Sequence, residues 1–79
     1  MINEKEAGVI VEKMYPQYKA MSSVKFGEGF VVACGNSNGE ELNDCFFAVS
    51  GNGVRVLEFN PTLCMNEFIK ALPKAVQLH

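Results

Sequence analysis

The stretch CFFAVSGNGVRVLEF, residues 45–59, decides the fold of this chain. Two apolar runs flank Gly51-Asn52-Gly53, and asparagine and glycine tolerate the positive φ angles that a tight hairpin turn requires. A phosphate-binding loop would instead need a helix directly after its glycines. Because a second β-like run follows at once, the stretch predicts a β-hairpin with strands at residues 44–50 and 54–59.

Two further strands are predicted upstream of this hairpin. Residues 30–34, FVVAC, are apolar at every position, which is typical of a central strand covered on both faces or of a larger association. Residues 18–26 alternate between two sets of side chains, as expected of a strand with one exposed face. Gly27-Glu28-Gly29 is predicted to form the turn between these two strands.

One helix is predicted at each end of the chain. Asn3 and Glu6 have the spacing of a capping box, and apolar residues then recur at helical spacing, which predicts a helix over residues 3–14. A second helix is predicted to begin at Asn60-Pro61 and to stop at Pro73. Its apolar stripe consists of Met65, Phe68, Ile69 and Leu72.

The order of these elements predicts a single small α+β domain over residues 1–73, with a flexible C-terminal tail at residues 74–79. Short connections make neighbouring strands antiparallel, so we expect a four-stranded meander between two helices, αββββα. Both helices are expected on one face of the sheet, in two layers. The other face then carries surplus apolar side chains, which either a loop or the tail covers or a partner binds.

Composition excludes several classes of function. The 79 residues include 7 basic and 9 acidic side chains, a net charge of −2, and the basic ones are scattered along the chain. No concentrated basic face is indicated, so nucleic-acid binding is not expected. No apolar run is long enough to span a membrane, and the acidic N-terminus is unlike a secretory signal. A cytoplasmic protein is therefore predicted.

No set of residues for catalysis or metal binding is visible. The single histidine is His79, and the chain has no Ser-His-Asp set, no paired catalytic carboxylates at a readable spacing and no nucleotide motif. The three cysteines follow no zinc-binding spacing. We therefore predict that the protein is not an enzyme and uses no cofactor or metal.

The cysteines are interpreted as structural. Cys34 and Cys45 flank the polar stretch at residues 35–43, and a hairpin there would set them opposite each other. A disulfide between them is geometrically conceivable, but a cytoplasmic location predicts two reduced, buried thiols. Cys64 lies near the start of the second helix without a base nearby in sequence, so it is interpreted as a core residue.

The polar stretch is also acidic. A calcium loop would need carboxylates at alternate positions around its glycine, and Gly39 would place Cys34 at the first ligand position. A solvated loop that contacts a partner is the better interpretation. The candidate partner-binding residues are Glu40, Glu41, Asp44, Phe46, Phe47 and Arg55.

Residues 44–61, DCFFAVSGNGVRVLEFNP, resemble a pattern found in small bacterial and prophage proteins. There an aromatic pair and an "AV" or "VD" strand turn through a glycine into a strand that ends in "F-x-P". The segment is also loosely similar to bacterial toxin-immunity proteins of the immunity-35 type. Ser50 departs from the pattern, which has an acidic residue there. The resemblance implies a small cytoplasmic protein that acts by binding another protein, and it implies no active site.

Three functions are therefore carried forward as hypotheses. The first is a non-enzymatic module that binds a protein partner, as a phage-encoded inhibitor or an immunity protein does. The second is a structural subunit that self-associates, as a homodimer, through its sheet. The third is a small-molecule-binding or cysteine-dependent domain.

Overall fold

The computed structural model describes residues 2–36, 38, 40–60, 62 and 65–78, and for residues 41–44 it describes the backbone only. Its elements, in chain order, are helix α1 (Glu4–Met14), strands β1 (Tyr18–Phe26), β2 (Gly29–Asn36), β3 (Glu41–Ser50) and β4 (Val56–Glu58), helix α2 (Met65–Ala71), a 3-10 turn (Leu72–Lys74) and strand β5 (Val76–Gln77). None of the helices in these ranges is long and apolar enough to cross a membrane.

The strands form one antiparallel sheet in the order β4-β3-β2-β1-β5, which confirms the predicted α+β class with an antiparallel sheet. Strand β2, which contains the apolar run of residues 30–34, lies at the centre of the sheet, as that run predicts. The prediction of four strands was one short, because Val76–Gln77 pairs with Ser22 and Ser23 of β1. This fifth strand lies in the segment predicted to be a tail, and two residues are too few to show a β-strand period.

Helix α1 forms as its sequence predicts. The Asn3 side chain accepts the backbone N–H of Glu6, and the Glu6 side chain accepts the N–H of Asn3, which completes the capping box. The helix buries Ala7 and Val11 completely against one face of the sheet, called the α1 face. On that face the core includes Phe30 and other apolar side chains of β2, β3 and β4.

Helix α2 lies on the opposite face, called the α2 face, so the prediction of two layers with both helices on one side was wrong. Phe68 of α2 is 5% exposed and packs with Val24 and Val31 of the sheet. The physical reason is that β2 carries large apolar side chains on both faces, since Phe30 and Val32 contact the α1 side while Val31 contacts the α2 side. A helix on each face removes both sets from water.

Strand β1 contains an irregularity that the alternation of its sequence does not reveal. Its register with β2 shifts between Ala20 and Ser22. Ala20 belongs to the α1-face core, whereas Val24 belongs to the α2-face core. The extra residue at this bulge, Met21, accepts the backbone N–H of Leu78 through its carbonyl oxygen at 3.0 Å. A strictly alternating strand would have placed Ala20 and Val24 on the same face.

The second helix is shorter than predicted. A helix from Asn60-Pro61 to Leu72 was expected, but α2 spans Met65–Ala71 and a 3-10 turn with Pro73 follows. Proline has no N–H to continue the α-helical ladder, which accounts for the change at this end. Pro61, where the predicted helix begins, lies outside the described residues.

The polar stretch is mostly strand rather than loop, because β2 extends to Asn36 and β3 begins at Glu41. Asn36 organises the connection between them. Its Oδ1 accepts the N–H groups of Asn38 and Glu40, and its own N–H donates to the Glu40 carbonyl oxygen at 2.8 Å. The Asn36 side chain thus accepts backbone N–H groups of the turn that would otherwise lack a partner. The two strands can therefore continue close to the turn.

Candidate binding groove

Helix α2 covers only part of the α2 face, and the uncovered part forms a groove with a volume of about 890 Å³. Its apolar lining comes from four segments of the chain that are distant in sequence. The apolar residues that line the groove are Phe26, Phe30, Val31, Ala48, Val49, Leu57 and Phe59. Ligand-binding clefts typically have volumes of about 300–1,000 Å³ and predominantly apolar walls, and the groove matches both features.

Two aromatic rings separate the groove from helix α2. The rings of Phe26 and Phe59 each contact Phe68 of α2, with centroid distances of 6.1 and 5.9 Å. Both residues also line the groove. The wall of the groove is therefore part of the core that holds α2 on the sheet, so its shape is supported by packing on both sides.

The loop between β3 and β4 closes one end of the groove through Ser50 and Asn52. The Ser50 hydroxyl accepts the N–H groups of Val54 and Arg55 and donates to the Asn52 side chain at 2.7 Å. The Gly53 N–H donates to the Ser50 carbonyl oxygen, and Gly53 has a φ of 76°, a left-handed conformation that glycine adopts without strain. Gly51-Asn52-Gly53 is thus a hairpin turn, as predicted, and it also borders the groove.

Charged side chains surround the apolar lining. Lys25 and Arg55 contribute two positive charges, and Glu28 in the β1–β2 turn contributes one negative charge. All three residues are exposed. The rim is therefore net positive, in a protein whose overall charge is −2.

The groove lies beside an edge of the sheet where no other described strand pairs. Strand β4 is the terminal strand and spans only Val56–Glu58. The Arg55 carbonyl oxygen and the Phe59 N–H both bond to β3, so alternation directs the backbone groups of Val56 and Glu58 away from β3. Leu57 points into the groove and is 63% exposed. An apolar side chain and a strand edge that no described residue pairs with thus lie next to each other.

Other exposed apolar residues lie beside Phe68 on α2 and in the 3-10 turn that follows it. Of the predicted stripe, only Phe68 is buried. The exposed members are Met65 at 41%, Ile69 at 53% and Leu72 at 45%. Met65 and Ile69 are one turn apart on α2, next to Phe68, and Leu72 begins the 3-10 turn.

The structure does not bring the predicted partner-binding residues together. Phe46 and Phe47 point to opposite faces, as predicted. Phe47 is 3% exposed and stacks on Tyr15 at 4.6 Å between ring centroids. It is a core residue and cannot contact a partner. Phe46 is half-buried and meets Phe68 edge to face at 5.4 Å.

Of the acidic candidates, Glu40 lies at the opposite end of β3 from the groove loop of Ser50 and Asn52. Glu40 is exposed in the β2–β3 turn, where its carboxylate accepts the Asn36 amide at 3.1 Å. The side chains of Glu41 and Asp44 lie outside what is described. Arg55 follows β3 at its other end, and of the four predicted residues whose side chains are described (Glu40, Phe46, Phe47 and Arg55) only Arg55 lines the groove. The sequence did contain one usable signal for the groove, namely the surplus of apolar residues in β4, but it did not show which would be left uncovered.

The thiols of Cys34 and Cys45 are free and in contact. Burial, reinforced by the charge and hydrogen bond of Cys45 and the charge of Glu12, raises the pKa of Cys34 to about 12. Burial also raises the pKa of Cys45, and the hydrogen bond from Cys34 opposes that rise. Cys64 lies outside the described residues. Among the residues that are described, no group of histidine, cysteine and acidic side chains is arranged to hold a metal ion.

A scan of the sequence against protein-family models found no match, and searches of the curated proteins and of the solved structures found none either. The groove and its surroundings are therefore the basis for inferring function.

Proposed function

We propose that this chain is a non-enzymatic module that binds a protein partner, and that the groove on the α2 face is the contact surface. The observation that carries the proposal is the groove itself, an apolar surface of the sheet that α2 leaves open. Isolated exposed apolar residues are normal on a protein surface, but a contiguous apolar concavity with a polar rim is typical of interaction sites. The prophage and immunity-type resemblance of residues 44–61 supports the same class of function.

The groove suits an apolar segment that carries an acidic side chain. Leu57 and Phe59 would contact the apolar part of such a segment. Lys25 and Arg55 would attract its carboxylate, since they outnumber Glu28 at the rim. Charges at the rim of an interface mainly accelerate association and make it dependent on salt, so the apolar contacts supply most of the affinity.

The free edge of β4 would fix the direction of the bound segment. The outward backbone groups of Val56 and Glu58 are suited to pair with an extended chain, as in the β-augmentation used by many peptide-binding domains. A strand added there would place alternate side chains over Leu57 and the groove.

Affinity capture with matched variants tests this proposal. Leu57→Asp introduces a charge at the groove, whereas Val9→Asp introduces the same charge on the solvent side of α1, where Val9 is 43% exposed. Both positions are exposed, so each change should alter the free energy of unfolding by only about 0.5 kcal/mol. We expect a captured protein that Val9→Asp retains and Leu57→Asp loses, and an Arg55→Glu variant that binds it more slowly.

The contact surface itself is then mapped on the isolated complex. Hydrogen exchange should slow at the backbone of Val56 and Glu58 when the partner binds. Equal capture by the Leu57→Asp and Val9→Asp variants, or protection confined to the β2–β3 turn, would show that the groove is not the binding surface.

Self-association is a second candidate, and the exposed apolar residues beside Phe68 favour it. Met65, Ile69 and Leu72 present apolar side chains that nothing in the described chain covers. Light scattering at high micromolar concentration measures the molar mass and so distinguishes a dimer from a monomer. The Ile69→Lys variant should dissociate a dimer. A wild-type monomer under those conditions excludes this candidate and leaves the groove proposal unaffected.

A further inference from the structure

The end of β2 and the start of β3 bring two thiols together. The register pairs Val32 with Phe47 and Ala33 with Phe46, so Cys34 and Cys45 are the residues directly next to this last regular pair, before the register shifts and Gly35 pairs with Glu41. Directly opposed residues of antiparallel strands have Cα atoms about 4.5–5.5 Å apart, and a disulfide requires about 4.4–6.8 Å. The regular pair of Ala33 and Phe46 therefore holds its neighbours Cys34 and Cys45 close together on the two strands.

The two side chains also share a face and an environment. Cys34 is 3% exposed within the α1-face core, and Cys45 packs against that core from a half-buried position. A hydrogen bond joins the two thiols. Cys45 is thus the sulfur that a reagent in solution can reach, while Cys34 is placed behind it.

We propose that Cys34 and Cys45 form a reversible dithiol–disulfide site that responds to low-molecular-weight disulfides such as oxidised glutathione. The site does not depend on the groove or on a protein partner. In the oxidised state it would link β2 to β3 covalently beside the Asn36 turn. A cross-link between neighbouring strands restricts the unfolded chain and so stabilises the fold if native geometry accepts it.

The reaction proceeds by two thiol–disulfide exchanges. The Cys45 thiolate attacks one sulfur of oxidised glutathione, the glutathione S–S bond breaks, and one glutathione thiolate leaves. Cys34 then loses its proton and attacks the Cys45 sulfur, which displaces the second glutathione thiolate. Two protein thiols are oxidised, one small disulfide is reduced to two thiols, and the two protons end on those thiols.

The environment of the two thiols determines that Cys45 reacts with oxidised glutathione before Cys34. Cys34 ionises less readily than Cys45 because it is the more buried thiol. Its S–H also donates a hydrogen bond to the Cys45 sulfur. The carboxylate of Glu58 on β4 and that of Glu12 on α1 both disfavour negative charge on the pair. A Glu58→Gln variant should therefore react faster at its first step without a change in fold.

The wild-type chain can be tested without removing Cys64. Trypsin cleaves after Lys25 and Arg55 and at no residue between them, so one peptide, residues 26–55, carries Cys34 and Cys45 but not Cys64. Native protein is equilibrated with glutathione buffers of known ratio, quenched in acid, alkylated and digested. The expected product is peptide 26–55 lacking two hydrogen atoms and carrying no alkyl group.

The decisive comparison is the equilibrium between the dithiol and the disulfide, measured in the native chain and in the urea-unfolded chain. The effective concentration of the two thiols should be at least about tenfold higher in the native protein than in the unfolded chain. By the same thermodynamic cycle, the folding equilibrium constant from urea denaturation should be larger for the oxidised than for the reduced protein by that same factor. Cys34→Ala should stop at a glutathione adduct on Cys45. Equal or lower effective concentration in the native chain, or a stable glutathione adduct on wild-type Cys45, would overturn the proposal.

Discussion

The rings of Phe26 and Phe59 meet edge to face, with centroids 5.7 Å apart and planes at 69°. Phe26 ends β1 and Phe59 follows β4, so this contact joins two elements on opposite sides of the central strand. On one side the pair contacts Phe68 of α2, and on the other it lines the groove. Attachment of the helix and the shape of the groove therefore depend on the same two rings.

The first prediction concerns the helix that these rings hold. Phe68→Ala should lower the free energy of unfolding by about 3–5 kcal/mol, because it removes a buried ring from four-ring packing on the α2 face. Ile69→Ala on the same helix is the matched control, since Ile69 is 53% exposed and should change stability by only about 0.5 kcal/mol. Urea denaturation measures both, and equal effects would mean that α2 does not pack through Phe68.

The second prediction concerns the start of α1. Asn3→Ala should lower the free energy of unfolding by about 1 kcal/mol, because the orphan N–H of Glu6 loses its acceptor. Asn3→Asp keeps an acceptor at the same place and should remain within about 0.5 kcal/mol of wild type. Thermal unfolding followed by circular dichroism compares the three proteins, and similar losses in both variants would contradict the capping geometry.

Local patterns in the sequence predicted the parts of the fold that local chemistry determines. The capping box of Asn3 specified the start of α1, and the apolar run of β2 specified a central strand, because each signal concerns neighbouring residues. The face on which α2 lies was not predictable in this way. It depends on which side of the sheet α1 leaves open, and the bulge at Met21 changes which residues of β1 face that side.

The groove was predicted even less well, for a related reason. Surplus apolar side chains on the second face were expected, but Phe26 and Leu57 lie 31 residues apart in the sequence and line one groove only because the sheet brings them together. Phe47 was a candidate for partner binding because it is aromatic and next to Phe46. Its burial against Tyr15 depends on the tertiary contact between β3 and the end of α1.

The third prediction concerns an unpaired polar group. The Ser23 hydroxyl is buried on the sheet and has no hydrogen-bond partner among the described residues. Ser23→Ala should raise the free energy of unfolding by about 1 kcal/mol. The wild-type chain must remove the Ser23 hydroxyl from water on folding without gaining a hydrogen bond, and the variant avoids that cost. Ser22→Ala, at the adjacent half-buried position, should be nearly neutral. A clear loss of stability in Ser23→Ala would show that this hydroxyl does have a partner.

The fourth prediction is the pH dependence of stability that Cys34 produces. Its pKa is raised from 9.0 to about 12 in the fold, chiefly by burial and further by Cys45 and Glu12. The unfolded chain releases the thiol proton near pH 9.0 while the folded chain retains it, so the folded state binds more protons at higher pH. The contribution of Cys34 is therefore complete below pH 9.0 and decreases toward pH 12, by at most about 1.4 kcal/mol per pH unit.

A comparison with Cys34→Ala isolates this contribution, because lysines and tyrosines titrate in the same range. Urea denaturation of both proteins under reducing conditions from pH 8 to about 11 gives two stability curves, and their difference should be constant below pH 9.0 and then narrow as the pH rises. The variant lacks the buried thiol, so its own curve should be flatter over this interval. Parallel curves throughout would mean that the Cys34 thiol ionises equally easily in the folded and unfolded chains, and would contradict its burial beside Cys45.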